Sequence, residues 1–385
     1  MAVPVELDTA RLEVADFVAS IQPHELVYFL ANIGDGDAQL VLLPEDPHDG
    51  TRRALIVDAG RMRKLPRLLD TLREHGLLPT HPTDPSRLAD GAIAIVVATH
   101  PHHDHIAGIP ELLHDYGRAI WELWDSGYYH TGPDFHDMMT ELEALPNVVF
   151  VQPASGMRRW IGDVAITVLS PSIQLKNRFD SYGIDINNSS ISLRLEFPAA
   201  RVIQRNQDRE LVDTKTTSNV LILGADAQTL SWAYVLDDFP ELPAQPTAAN
   251  RALRAATGRD HLAGQTFKIS HHGSKHGINL ELIERVDPAL TLISSVGGGG
   301  KYNFPHSVAQ NLIREALAPN EGTGTPENTD ADLGIFYTSD LDTDQVPCGS
   351  IAVVIGAKQR QLWRMYDGPA EAIDFGKARR WNGNP

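Results

Sequence analysis

Four histidines and an aspartate fall within six consecutive positions of this chain. They are His100, His102, His103, Asp104 and His105. Imidazole nitrogens and carboxylate oxygens are common ligands of divalent metal ions. Because alternate side chains of extended backbone point the same way, His100 and His102 can bind one ion together. Asp104 and His105 follow where a helical period begins, so they can face a second ion. The spacing predicts a site for two metal ions, with His103 as an exposed or supporting group. The alternative is a solvated loop with one or two structural histidines.

Ligand-bearing residues follow three segments that are typical of buried strands. The run 92–98 contains no polar residue and leads directly into the histidine cluster. A second apolar run, 220–223 after Asn219, precedes Asp226, and the segment 267–270 precedes His271 and His272. Since neighbouring residues of a strand face opposite ways, His271 and His272 are not expected to bind the same ion. Which of the two is a ligand stays open.

Composition indicates a globular protein without a disulfide framework. The chain has 385 residues, of which 42% are hydrophobic and 22% are charged. Its net charge of −17 disfavours non-specific binding to nucleic acid or anionic membranes. Cys348 is the single cysteine, which excludes a cysteine-based zinc site. Residues 1–22 lack the features of a signal peptide, and no apolar run is long enough to cross a bilayer. We therefore expect a soluble, cytoplasmic protein.

The pattern HxHxDH after a buried strand resembles the metallo-β-lactamase superfamily. Further segments are similar to the hydrolase domain of ComEC/Rec2-type DNA-uptake proteins, and together they cover most of residues 26–355 in order. These segments are 33–38, 58–60, 187–195, 219–227, 267–274, 291–306, 335–340 and 349–355. The chain departs from the family pattern in three ways. Asp35 replaces a glutamine, Phe304 replaces a histidine, and no histidine near residues 187–195 is present to complete the first metal site.

The resemblance implies an α/β fold, the αββα sandwich of two mixed sheets flanked by helices. It implies two divalent metal ions per chain, Zn²⁺ or Mn²⁺, with Asp226 as a bridge between them. The candidate metal ligands are His100, His102, Asp104, His105, Asp226, His271 and His272, of which one member of the last pair is expected to bind the second ion. Water, an aspartate or an amide oxygen would complete the first site. Asp104 and His306 are the candidate catalytic residues, with His306 as a proton donor or phosphate contact. The candidate substrate contacts are Asn187, Asn188 and Ser274; a plain asparagine-rich turn is the alternative for the first two.

The expected organisation is one hydrolase domain over residues 24–357, between an N-terminal extension, 1–23, and a C-terminal extension, 358–385. Insertions are expected near 117–147 and 228–262. Residues 121–145 are predicted to be helical and to form an insertion or lid, and 249–257 are predicted to be helical. Asp35 and Asp37 are expected to shape the floor of the site. The glycine run 297–300 is not a Walker A motif, because Ser295 and Tyr302 stand where that motif requires Gly and Ser or Thr.

The resemblance favours metal-dependent hydrolysis of phosphodiesters, in which two ions activate a water molecule. The expected partner is a phosphodiester substrate such as single-stranded DNA or a nucleotide, with no membrane partner. The first alternative is hydrolysis of a carboxylic ester, lactone or β-lactam by the same site. The second alternative is a metal-stabilised binding module whose insertions are contact surfaces.

Overall fold

The computed structural model describes most of the chain. The described residues are 5, 7–179, 184–199, 201–205, 211–215, 219–241, 260–298, 300–318, 328–356 and 359–383. The helix predicted at 249–257 and much of the insertion expected near 228–262 lie outside these residues.

The first sheet has an antiparallel part and a parallel part. In spatial order its described strands are β1 (Leu12–Glu13), β21 (Lys377–Arg380), β20 (Arg360–Arg364), β19 (Ile351–Ile355), β2 (Leu26–Leu30), β3 (Ala38–Leu42), β4 (Ala54–Ala59), β7 (Ile93–Ala98), β8 (Ile120–Asp125) and β9 (Val149–Val151). Neighbours from β1 to β4 are antiparallel, and β4, β7, β8 and β9 run parallel. The carboxyl ends of β4 and β7 therefore meet at one edge of the sheet.

The second sheet repeats this division. In spatial order its described strands are β10 (Arg158–Ile161), β11 (Val164–Ser170), β12 (Ser192–Phe197), β15 (Asn219–Leu223), β16 (Thr266–Lys268), β17 (Leu290–Ile293) and β18 (Ile335–Tyr337). Strands β15 to β18 run parallel, so their carboxyl ends also share one edge. Two short hairpins stand apart: β5 (Thr80–His81) with β6 (Asp84–Leu88), and β13 (Arg201–Arg205) with β14 (Leu211–Lys215).

Amphipathic helices cover both sheets. The described helices are α1 (Val14–Ala19), α2 (Lys64–Glu74), α3 (His103–Ile106), α4 (Ile109–Tyr116), α5 (Pro133–Glu143), α6 (Ile173–Lys176), α7 (Thr229–Asp238), α8 (Leu280–Val286) and α9 (Ser307–Leu317). In α2, Leu65, Leu68, Leu69 and Leu72 recur at helical spacing and are all buried. Across the described part of the chain, every helix is too short or too polar to span a lipid bilayer.

The hydrophobic core lies in three layers. The middle layer joins the two sheets, where Val97 and Trp124 pack in one cluster with Leu195 and Leu292. A second cluster joins the first sheet to α1, α2, α4 and α5, and a third joins the second sheet to α7, α8 and α9. The order of layers is helix, sheet, sheet, helix. The predicted αββα sandwich of two mixed sheets is therefore confirmed.

The helix predicted over residues 121–145 is wrong for its first part. Residues Ile120–Asp125 form β8, which pairs in parallel with β7 on one side and β9 on the other. Trp124 faces the middle layer of the core, whereas Leu123 faces the helix layer. Aromatic residues suit a strand that is covered on both faces, and pairing with β7 decides the conformation. Only Pro133–Glu143, later in this segment, is helical.

Both terminal segments contribute strands to the first sheet. Strand β1 pairs with β21, and β20 and β21 continue the sheet beyond β19. Helix α1 adds Phe17 and Val18 to the core beneath this part of the sheet. The two expected extensions are thus built into the sandwich, while the domain boundaries stay a prediction.

Candidate metal centre

Loops from the two sheets bring the predicted ligands together. His100 follows β7, and Asp226 follows β15. The histidine pair follows β16. Because these strands end at the edge that the parallel halves of both sheets share, their loops converge there. Ligand binding at the carboxyl ends of parallel strands is usual in α/β proteins.

A first ligand group consists of His100, His102 and Asp226. One ligand atom from each lies within 4.8 Å of the others. Nε2 of His100 is 3.0 Å from Nδ1 of His102 and 3.8 Å from Oδ2 of Asp226. Two nitrogens that each lie about 2.0–2.1 Å from one zinc ion are about 3 Å apart, so this spacing fits a shared ion.

A second ligand group consists of Asp104, His105 and His272, again within 4.8 Å of one another. Nε2 of His272 is 3.9 Å from Oδ2 of Asp104. Oδ1 of Asp226 lies 3.2 Å from Nε2 of His105 and 3.5 Å from Nε2 of His272. Asp226 therefore turns one carboxylate oxygen toward each group.

Several ligand atoms are buried without a hydrogen-bond partner among the described residues. They are Nε2 of His105, Nε2 of His272 and Oδ1 of Asp226. Buried polar atoms are nearly always paired, so three unpaired atoms that face one another require an explanation. Two imidazole nitrogens and a carboxylate oxygen are a donor set that suits a divalent metal ion. The residues present thus fit the ions that the resemblance implies.

Asp58 holds His105 in its orientation. Oδ2 of Asp58 is 2.7 Å from Nδ1 of His105, and the carboxylate also accepts hydrogen bonds from the backbone N–H and the hydroxyl of Thr99, both at 2.8 Å. With Nδ1 bound to a carboxylate, the ring presents Nε2 to the second group. Asp58 itself has a φ of 60°, in the left-handed region that non-glycine residues seldom adopt.

His272 is held by a longer buried network. Its Nδ1 contacts the carbonyl oxygen of Ser294 at 3.1 Å and the hydroxyl at 3.0 Å. That hydroxyl donates to Oδ1 of Asp37 at 2.6 Å, and Asp37 forms an ion pair with Lys268. Ser294 is 1% exposed, and the Asp37 and Lys268 side chains are fully buried. Asp37 lies beside the site, as expected, but Lys268 neutralises it.

Burial and charge set the protonation of the ligands. Burial lowers the pKa of His102 and, together with His105, holds the pKa of His100 well below its usual value, so both rings are neutral at neutral pH. Burial opposes ionisation of Asp226, but the neighbouring histidines, His105 first, hold its pKa well below its usual range. For His105, burial is outweighed by Asp226 and Asp58, and its pKa is raised well above the usual value.

The histidine pair is not part of a strand. Strand β16 ends at Lys268, and both His271 (φ 51°, ψ 45°) and His272 (φ 53°, ψ 23°) have left-handed backbone conformations. His271 and His272 are therefore not neighbours in a strand, contrary to the expectation, and the alternation of strand side chains does not apply to them. His271 lies 3.6 Å from Oδ2 of Asp226 through its Nε2, and its side chain is 15% exposed.

The other candidate residues differ in their burial and in their hydrogen bonds. Asn188 is tied to α7, since its Oδ1 accepts from the N–H of Ser231 at 3.2 Å and from the hydroxyl at 3.0 Å. Asn187 is buried, and its Oδ1 has no partner in the described part of the chain. Ser274 is buried, and its hydroxyl accepts from the N–H of His276 at 3.3 Å. His103 is exposed and pairs with Asp134, in agreement with its interpretation from spacing.

His306 is separated from the ligand groups by an aromatic side chain. It precedes the first residue of α9, and its ring centroid is 6.4 Å from that of Phe304. Phe304 contacts both His271 and His272, with centroids at 5.3 and 5.8 Å. Phe304 thus packs against the histidine pair in the position where the family usually has a histidine.

Sequence reasoning missed the residues that support the ligands, namely Asp58, Thr99, Lys268 and Ser294. One signal was present. Lys268 is a charged residue between Phe267 and Ile269, and a buried charge requires a partner of opposite sign. The partner, Asp37, is 231 positions away, so its identity could not be read from local sequence.

No family model and no curated protein sequence matches the chain. Solved structures do match it. These include YhfI from Bacillus subtilis, at 14% identity over 76% of this chain and 92% of that chain, with a TM-score of 0.34. The Rm3 metallo-β-lactamase matches at 13% identity over 83% of this chain and 93% of that chain, with a TM-score of 0.30. A long form RNase Z from yeast matches at 11% identity over 71% and 38%, with a TM-score of 0.33. YhfI is described as a metallo-β-lactamase fold protein.

Proposed function

We propose that this protein is a metal-dependent hydrolase of phosphodiesters that uses two divalent ions, Zn²⁺ or Mn²⁺. One observation carries the proposal. The carboxylate of Asp226 lies between two ligand groups, with Oδ2 toward His100 and Oδ1 toward His105 and His272. A strand end holds such a carboxylate rigidly, and its two oxygens can serve two ions.

Two divalent ions bound there would lower the pKa of a water molecule and polarise a phosphoryl oxygen. The chain would supply the rest of the chemistry. Asp104, whose side chain is about one third exposed, is a solvent-accessible member of the second ligand group. His306, beyond Phe304, is the proposed donor of a proton to the leaving oxygen. Asn187 offers a side-chain oxygen without a partner in the described residues, and it is the proposed substrate contact from its loop.

Phosphodiesters are proposed because the motifs around this centre resemble the ComEC/Rec2-type hydrolase domain. The charge of the chain is compatible with this substrate class. Although the net charge is −17, Lys301 is exposed on the loop before Phe304 and is close enough to Asp104 for that carboxylate to contribute to its raised pKa, after the larger effect of Tyr302. A single exposed ammonium can contact a phosphate without making the whole surface basic.

The test uses metal-stripped protein that is reloaded separately with Zn²⁺ or Mn²⁺. Bis-p-nitrophenyl phosphate, labelled single-stranded DNA, a p-nitrophenyl carboxylate ester and a chromogenic β-lactam are assayed side by side. We expect hydrolysis of the phosphodiesters only after reloading, and a loss of more than about 100-fold in Asp226→Asn. His103→Ala is the matched control, because it removes an exposed histidine from the same cluster.

Two outcomes would contradict the proposal. If only the carboxylate ester or the β-lactam is hydrolysed, the substrate class is wrong. If Asp226→Asn is as active as His103→Ala, the reaction does not depend on this centre. Cleavage of the small diester without cleavage of DNA would retain the phosphodiesterase and exclude the nuclease.

A further inference from the structure

The two ligand groups do not have the same number of protein ligands. The second group has Asp104, His105, His272 and one oxygen of Asp226. The first has His100, His102 and the other oxygen of Asp226. His271 is not a member of either group, although it is the chain neighbour of His272, which belongs to the second. Its position relative to Asp226 indicates which group it completes.

The two adjacent histidines lie near different oxygens of the Asp226 carboxylate. Nε2 of His271 is 3.6 Å from Oδ2, which is the oxygen that also faces His100 at 3.8 Å. Nε2 of His272 is 3.5 Å from Oδ1, which is the oxygen that also faces His105 at 3.2 Å. The two neighbouring rings are 6.3 Å apart at an interplanar angle of 77°. Each ring is therefore directed to a different side of one carboxylate.

An unusual backbone conformation makes this division possible. In a strand the two rings would point to opposite faces of the sheet, whereas in a left-handed turn both can approach the carboxylate of Asp226. Left-handed backbone is unfavourable for a residue other than glycine, because its Cβ comes too close to the following carbonyl oxygen. His271 and His272 both adopt it, and so does Ala225 beside Asp226, with a φ of 46°. The N–H of His271 donates to the carbonyl oxygen of Ala225 at 2.7 Å, which joins the two turns. Such conformations cluster where function needs them.

The two rings are prepared for different partners. The Nδ1 of His272 is fixed by Ser294, and its Nε2 is directed toward Asp104 and Oδ1 of Asp226 in the second group. His271 has no such constraint, since its Nδ1 is buried and has no hydrogen-bond partner among the described residues. With no hydrogen bond from a described residue to fix its Nδ1, the ring places its Nε2 3.6 Å from Oδ2, the oxygen that faces the first group.

We propose that the adjacent histidines are divided between the two ions: His271 completes the first site with His100 and His102, and His272 completes the second with Asp104 and His105. His271 then provides the histidine that the loop at 187–195 lacks. This inference rests on the dinuclear centre of the proposed function, but not on the substrate.

Metal content tests the division independently of activity. Wild-type protein and the variants His271→Ala, His272→Ala and His102→Ala are loaded with Zn²⁺, desalted and analysed by inductively coupled plasma mass spectrometry. We expect about two ions in wild type and about one in each single variant. The decisive measurement is on two double variants. His102→Ala with His271→Ala removes ligands of one site and should retain about one ion, whereas His102→Ala with His272→Ala should retain almost none.

Other results overturn the proposal. Two ions in His271→Ala would show that His271 is not a ligand. No ion in the double variant of His102 and His271 would place His271 in the second site. Circular dichroism checks that each variant is folded, and His271→Gln replaces His271→Ala if the latter is not. One ion in the wild type would overturn both this inference and the two-ion function, whereas two ions without phosphodiester hydrolysis would overturn the function alone.

Discussion

Replacing Lys268 by methionine would test how far stability depends on charge balance beside the metal centre. Lys268 and Asp37 form an ion pair in which both side chains are fully buried. Methionine keeps a long unbranched side chain but removes the ammonium. Removing one partner of a buried ion pair costs about 3–5 kcal/mol, because the other charge stays buried and unpaired. Lys268→Met should therefore lower the free energy of unfolding by about 3–5 kcal/mol.

A second substitution should recover most of this loss. Asp37→Asn removes the unpaired charge and keeps an oxygen that can accept from the hydroxyl of Ser294. The double variant then lacks one ion pair but holds no uncompensated charge, so it should be only about 1–2 kcal/mol less stable than the wild type. The two substitutions are thus expected to be strongly non-additive, as for residues in one network.

The assay is urea unfolding of the metal-free protein, followed by tryptophan fluorescence at pH 7 and pH 5. In the wild type, burial opposes ionisation of Asp37, but Lys268 and then His272 hold its pKa below the usual value. Without Lys268, burial prevails and the pKa is raised. A carboxyl with a raised pKa in the folded state contributes stability that is lost as pH rises, so Lys268→Met should gain stability from pH 7 to pH 5. The reasoning is refuted if Lys268→Met unfolds within about 1 kcal/mol of the wild type at pH 7, or if the double variant is no more stable than the single one.

Three further predictions concern residues of the site and a buried carboxyl at the end of β8. Asp58→Asn should weaken binding of the second ion by about 10- to 100-fold in a metal titration, because it removes the carboxylate that orients His105, and unchanged affinity would contradict this role. Burial raises the pKa of Asp125 to about 6, so folding favours the neutral carboxyl. This stabilisation is complete below the unfolded pKa of about 4 and is lost as pH rises through about 6. Asp125→Asn should remove up to about 3 kcal/mol of that decline between pH 4 and pH 7 in urea unfolding, and parallel curves for variant and wild type would disprove it. Asn188→Ala should destabilise the protein by about 1–3 kcal/mol through lost bonds to Ser231, whereas Asn187→Ala should raise KM for the diester with little change in stability. The reverse pattern in thermal unfolding and steady-state kinetics would exchange these two roles.

The sequence predicted the structure correctly where a segment consists only of apolar residues. The run before the histidine cluster forms β7, which pairs with β4 and β8. It is buried on both faces because one core cluster covers each face. The HxH spacing also correctly indicated that His100 and His102 lie together, with two nitrogens 3.0 Å apart, although a tight turn in which the N–H of His102 donates to the carbonyl oxygen of His100 at 3.0 Å brings them together, not extended backbone. In such segments the local pattern and the tertiary environment favour the same conformation.

Sequence reasoning failed where tertiary contacts decide. Residues 120–125 suit either a helix or a strand on local grounds, and β8 forms because β7 and β9 pair with it. The left-handed backbone of His271 and His272 contradicts the intrinsic preference of histidine, and only the surrounding structure imposes it. The pairing of Lys268 with Asp37 joins two sheets, and no spacing rule connects residues so far apart.

The position of His105 between two carboxylates would make uptake of the proposed second ion a proton-exchange reaction. In the metal-free protein Asp226 and Asp58, against the effect of burial, hold the pKa of His105 well above its usual value, so the ring carries a proton at neutral pH. A nitrogen cannot hold a proton and a metal ion together, and a proton must leave when the second ion binds. His100 and His102, whose pKa values are lowered, release none. Mild acidification should therefore empty the second site before the first, and calorimetry in buffers of different ionisation enthalpy would count the proton released.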